Sequence, residues 1–151
     1  MTFLRHVAVV MAVALATSCT SSTSKPTDEA DVKAAIESFY TAMKKADSKA
    51  AMAMIAPDAM FVESGRRETR QQYEENHLPS DIDFEKQITG KRSPWRITIN
   101  GDTAWGIAST EYEGPVDGGD VSFVSTQLAV VTRGEDDKWL IRSIHWSSMP
   151  L

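Results

Sequence analysis

The chain has 151 residues, with 21 acidic against 16 basic side chains and a formal net charge of −5 at pH 7. That balance disfavours nucleic acid as a partner, because neutralising phosphates requires a basic surface. The single cysteine, Cys19, excludes an internal disulfide and a thiolate metal centre.

Residues 1–18 read as a signal peptide. Arg5 and His6 precede an apolar run from Val7 to Leu15, too short to stay in a bilayer as a spanning helix, and the small residues Ala16-Thr17-Ser18 lead to Cys19. The tetrapeptide Ala16-Thr17-Ser18-Cys19 resembles a bacterial lipobox. The resemblance implies that Cys19 becomes the lipidated first residue of an exported protein, held through acyl chains such as palmitate at the periplasmic or extracellular face of a bacterial membrane. Ordinary secretion with cleavage nearby is the alternative. Residues 19–27 then form a polar Ser/Thr/Lys/Pro tether, and residues 28–151 are of single-domain length.

From Asp28 the pattern becomes periodic. Val32, Ile36, Phe39, Tyr40 and Met43 fall at helical spacing between charged positions, predicting an amphipathic helix over 28–46. Asp47 or Ser48 caps a second short helix whose apolar face runs from Ala50 to Ile55 and which Ala56-Pro57-Asp58 ends. Met43, Met52 and Met54 suit either a lipophilic cavity wall or plain core filling. Met60-Phe61-Val62-Glu63 reads as a strand ending in a carboxylate, with Phe61 and Glu63 on one face. Ser64-Gly65 turns the chain, and Glu68 to His77 predicts a helix delivering His77 just before Leu78-Pro79. Residues 79–83 read as a loop.

Strand signals dominate from Phe84. Residues 84–89, 95–99, 103–112, 121–132 and 138–146 are rich in β-branched and aromatic side chains, separated by Asn100-Gly101-Asp102, Gly114-Pro115 with Gly118-Gly119, and Gly134-Glu135-Asp136-Asp137. Helices followed by strands joined through short turns predict an α+β fold, with helices packed on one face of a strongly curved antiparallel sheet. Trp105, Ile107, Ser109 and Glu111 share one side of their strand. Ser125 and Gln127 alternate with apolar neighbours, as a wet cavity requires.

The helix ending in Met43-Lys44-Lys45-Ala46-Asp47, the junction Ile55-Ala56-Pro57-Asp58-Ala59, the strand Met60-Phe61-Val62-Glu63 and the closing Trp139-Leu140-Ile141-Arg142-Ser143-Ile144-His145-Trp146-Ser147 resemble the SnoaL-like branch of the nuclear-transport-factor-type cone fold. The resemblance covers about residues 28–148. It implies three helices and a bent sheet forming a cone with one pocket. Ketosteroid isomerases, polyketide cyclases, dehydratases and many exported domains without assigned activity share that fold, so the fold does not choose among them. The resemblance also implies a homodimer formed through the outer sheet face.

Four functional readings remain open, one of them a dimeric protein-association module. The leading one is an exported domain binding a small apolar or partly polar molecule, with Phe39, Tyr40, Met43, Phe61, Trp95, Trp105 and Trp146 as ligand anchors. The second is a pocket enzyme of isomerase, cyclase or dehydratase type, with Glu63 as general base beside His77 or His145. The third is a metal held by Glu63, His77 and His145, two imidazoles and one carboxylate being an acceptable set for zinc. Nothing in the sequence calls for a cofactor. Arg66, Arg67 and Arg70 are either a solvated basic face or a seat for an anionic ligand group at the cavity rim.

Overall fold

The computed structural model of the protein describes residues 26–151, with side chains from residue 28. The signal segment, Cys19 and most of the tether lie outside the described residues. Helix α1 (Pro26–Lys44) and helix α2 (Ser48–Ala53) come first. Asp47 caps α2, its carboxylate accepting from the Ala50 backbone N–H at 2.9 Å. Strand β1 (Ile55–Glu63) and strand β2 (Arg66–Thr69) form a hairpin. Its turn residues, Ser64 and Gly65, both have positive φ (49° and 79°), the backbone pattern that matches the twist of paired strands.

A continuous helical stretch follows. It consists of a first turn α3 (Arg70–Gln72), a π-helical turn (Tyr73–His77) and helix α4 (Leu78–Gln87). Thr69 and Gln72 cap it reciprocally, the Gln72 N–H donating to Thr69 Oγ1 and the Thr69 N–H to Gln72 Oε1. Two expectations change here. Glu68 lies on strand β2, and residues 79–87 are helix instead of loop followed by strand. Pro79 stands at the start of α4, where a missing N–H costs little. The wider π turn just before it makes room for the proline ring, and Leu78 and Ile82, one turn apart, are buried.

The remaining strands are β3 (Lys91–Arg92), β4 (Arg96–Asn100), β5 (Thr103–Val116), β6 (Gly119–Arg133) and β7 (Trp139–Pro150). The sheet order is β2-β1-β7-β6-β5-β3, with β4 also on β5. All pairs are antiparallel except β1 with β7, which run parallel. The result is the α+β architecture with a curled, unclosed sheet. Between Ile55 and Met60 the β1–β7 register shifts, which lets Ala56-Pro57-Asp58 lie inside the strand instead of ending the helix before it. Proline cannot donate to a regular ladder, so it sits at such an irregularity.

The core lies between α1 and the inner sheet face. Val32, Ile36 and Phe39 of α1 are completely buried, as are Ala104, Ala129, Ile141 and Ile144 of the sheet. The helix approaches β5 closely at Gly106, where an added Cβ would stand 2.9 Å from Ile97, 3.0 Å from Ile36 and 3.1 Å from Trp95. That approach requires small residues inward, and Ala104, Gly106 and Ala108 supply them. Trp105 is therefore on the outer face, 36% exposed, and does not reach the cavity expected of it. His145 is corrected for the same reason of alternation: Ile144 and Trp146 point inward, so His145, paired with Leu128, faces outward and is exposed.

Candidate functional site

A cavity of about 500 Å³ opens between the inner faces of β6 and β7, the C-terminal half of α1 and the helical stretch from His77 to Glu85. Three stacked rings back it. Phe61 lies over Tyr73 with centroids 3.9 Å apart, and Trp146 continues the stack, 5.9 Å from Phe61 and 6.1 Å from Tyr73. Trp146 forms part of the lining, whereas Phe61 and Tyr73 are buried behind it. The Tyr40 hydroxyl accepts a hydrogen bond from Trp146 Nε1 at 3.2 Å. Burial pushes the Tyr40 phenol well above the usual tyrosine range, so it stays protonated. Its own proton has no acceptor among the described residues.

The polar end of the cavity is built around His77. Strand alternation places Glu63 on the same face as Phe61, at the last position of β1, and the π turn carries His77 to meet it. A π turn inserts one extra residue into a helix and is frequent at functional sites. His77 Nε2 is 3.0 Å from Glu63 Oε2 and 3.3 Å from Asp81 Oδ1, while Nδ1 is 2.7 Å from Glu68 Oε2. Hydrogen bonds to Asp81 and Glu63 and the charge of Asp81 outweigh burial, and push the imidazole pKa up to about 11. His77 is thus an imidazolium at neutral pH. Asp81 also accepts from the Tyr73 hydroxyl at 2.7 Å, and together with burial this pushes the Tyr73 phenol far upward.

One helical turn beyond Asp81, Glu85 accepts from the Tyr112 hydroxyl at 3.0 Å. Phe84, Tyr112 and Phe123 form an aromatic trio, with Phe84 to Tyr112 at 5.1 Å and Tyr112 to Phe123 at 5.2 Å. Gln127 is buried, donating to the Ser125 carbonyl and accepting from Thr110. The Ser125 side chain, in a residue only 6% exposed, lines the cavity, and its hydroxyl has no partner among the described residues.

Of the sequence-derived candidates, Glu63, His77, Tyr40, Met43 and Trp146 meet in this cavity. Phe39 is fully buried in the core behind it, and Trp95, 8% exposed, packs on the far side of Tyr40 at 6.2 Å. Met52 belongs to the core, and Met54 packs against it. Arg66 and Arg67 are exposed on β2, and Arg70 binds Glu74 and the Met52 carbonyl, so none of the three lines the cavity. With His145 on the outer face, the three-residue metal reading loses its second imidazole. Among the described residues no group of three or more His, Cys, Asp and Glu side chains has an arrangement able to hold a metal ion. Both nitrogens of His77 already face carboxylates.

The residues that the sequence reading did not select are Glu68, Tyr73, Asp81, Phe84, Glu85 and Phe123. A signal for several was present. Tyr73, His77, Asp81 and Glu85 recur every four residues, one face of a helix, which reading Pro79 as a helix stop concealed.

Residues 32–151 match the SnoaL-like domain. The chain belongs to the SnoaL-like family. No curated protein matches the sequence significantly. Among solved structures, this SnoaL-like domain is similar to a candidate ketosteroid isomerase from Shewanella frigidimarina, with a TM-score of 0.74 and 22% identity over 78% of this chain and 94% of that one. It is also similar to a conserved protein from Planctomyces limnophilus, with a TM-score of 0.68 and 15% identity over 84% and 100% of the two chains. A candidate dehydratase of the NTF2-like family from Streptomyces avermitilis gives a TM-score of 0.64 and 20% identity over 83% and 97%. At these identities the likeness establishes the fold, the same helices and curled sheet, and leaves the chemistry to this domain's own side chains.

Proposed function

We propose that this SnoaL-like domain binds a small organic molecule in the cavity beside Trp146. One observation carries the reading: aromatic walls and unused hydrogen-bonding groups, the Ser125 hydroxyl and the Tyr40 proton, converge in a single concavity of about 500 Å³, within the size range of small-molecule sites. Saturation-transfer NMR with a set of ring-bearing fragments tests it. Fragments that bind wild type should lose their signal with Ser125→Phe, which puts a ring into the cavity wall where they would sit. Undiminished signal in the variant removes the cavity as the site.

A second reading is favoured by the contact between Glu63 and His77. An imidazolium donor 3.0 Å from a carboxylate acceptor, both facing the cavity, separates acid and base as proton transfer on a small carbonyl compound requires. The similar structures named as candidate isomerase and dehydratase are in keeping with this. On a panel of enolisable carbonyl compounds, Glu63→Gln should lower turnover by about 10²–10⁴-fold. Equal turnover in both proteins eliminates Glu63 as the base.

The same proposal places the domain outside the cytoplasm, exported by residues 1–18 and tethered to a bacterial membrane through lipidated Cys19. It also pairs the domain with a second copy across the outer sheet face, where Met60, Trp105, Ile107 and Leu128 are between 36% and 43% exposed.

A further inference from the structure

We infer that the cavity takes an organic cation: an amine whose ammonium group lies between the carboxylates of Asp81 and Glu85, one helical turn apart on α4, and whose apolar body rests on the aromatic walls. The inference rests on the cavity-binding reading and deepens it. Three carboxylates line the cavity and one imidazole, His77, is the sole cationic side chain in its lining. His77 is shared with a fourth carboxylate, Glu68, on its other side, so even a fully charged imidazolium leaves the cavity negative. Two arginines outside this lining offset only part of that charge. Arg66, the register partner of Glu63, lies exposed in the neighbouring surface recess with Glu63 and Glu68 and forms no ion pair with another described residue. Arg92 stands behind the wall, its guanidinium 3.9 Å over the Tyr40 ring and its Nε donating to Thr110.

The second observation is independent of charge. Phe84, Tyr112 and Phe123 cluster beside Glu85, and Trp146 lies 6.0 Å from His77 at the other end. Ring faces next to carboxylates in a partly dry site are the chemistry that selects ammonium over neutral or anionic groups. Ser125, a residue 6% exposed, lines the same cavity, and its hydroxyl has no partner among the described residues. It is available to a polar group of the ligand.

The test uses three probes of nearly one shape, phenylbutylamine, phenylbutanol and phenylbutyrate, titrated calorimetrically into the full chain at neutral pH. The amine should bind at least about tenfold more tightly than the alcohol, and the butyrate most weakly. In the double variant Asp81→Asn/Glu85→Gln the amine should fall to the affinity of the alcohol, while the alcohol keeps its wild-type affinity and so reports an intact cavity. Should the double variant not fold, Glu85→Gln alone, which keeps an acceptor for Tyr112, should narrow the ratio. Equal or reversed affinities in wild type overturn the cation inference and leave cavity binding standing. An amine preference undiminished in a folded variant also overturns it, because it would then arise from the overall negative charge of the chain. Failure of all three probes to bind overturns the cavity reading as well.

Discussion

His77 Nε2 and the Glu63 carboxylate stand 3.0 Å apart although fourteen positions separate them, because a strand end and a π turn present them to one cavity. With Glu68 and Asp81 also on the ring, the imidazolium holds three carboxylates together. Its folded-state pKa, about 11, lies above the ordinary histidine value of about 6.5. The folded state therefore binds the extra proton between these limits. Its stabilising contribution is complete below about pH 6.5 and is lost as pH rises through about 11. The melting temperature of wild type should fall between pH 7 and pH 10, and His77→Gln should flatten that decline while lowering stability at pH 7. Parallel pH profiles for the two proteins would contradict the cluster.

Phe61 is 1% exposed and packs nearly parallel to both Tyr73 and Trp146. Truncating it empties the wall shared by core and cavity. Phe61→Ala should cost about 3–5 kcal/mol, read from the urea midpoint. A cost below about 1 kcal/mol would show that the stack collapses without penalty.

Gly106 is the point where α1 meets the sheet, with Ile36, Ile97 and Trp95 within 3.1 Å of an added Cβ. Gly106→Ala should destabilise by about 1–3 kcal/mol through overpacking, although alanine normally suits a strand better than glycine. A stabilised variant would mean that helix and sheet separate more easily than this geometry allows.

The architecture was legible largely because turn chemistry and strand composition are local. Residues 103–112 and 121–132 announce long strands joined by a Gly-rich turn, whereas Ser64-Gly65 read as a turn into a helix and the short strand β2 after it did not show. The face assignments were less legible. Grouping Trp105 with Ile107 and Glu111 followed from alternation, but which group points inward depends on how closely α1 packs, a tertiary fact expressed only through Gly106 and its alanine neighbours. The helical stretch failed at Pro79 because proline ordinarily ends a helix, and the π turn that accommodates it has no simple sequence signature. Asp81 and Glu85 were lost with it. The parallel pairing of β1 with β7 joins segments about eighty residues apart, and no local pattern encodes it.

Trp105 and Leu128 expose apolar surface on the outer sheet face, next to Ile107, whose register partner is Leu128. Light scattering of wild type should give the mass of a dimer, and Trp105→Glu, placing a charge in the middle of that face, should give a monomer with an unchanged melting profile at low concentration. A monomeric wild type removes the proposed pairing.

Cys19 lies outside the described residues, and its proposed acylation has a direct consequence in cells. The wild-type protein should fractionate with membranes, and Cys19→Ala should move to the soluble exported fraction. Membrane association that persists in the variant would refute the lipid anchor.

The account depends most on the cavity beside Trp146 being the place where a small molecule sits. Its direct test is a ¹⁵N–¹H titration of the protein with the tightest of the phenylbutyl probes, following the Trp146 indole N–H, the Gln127 side-chain amide and the Ser125 backbone amide. All three should shift together and saturate at one equivalent. Shifts confined to the outer sheet face or to the recess around Arg66, with these three unmoved, would contradict it.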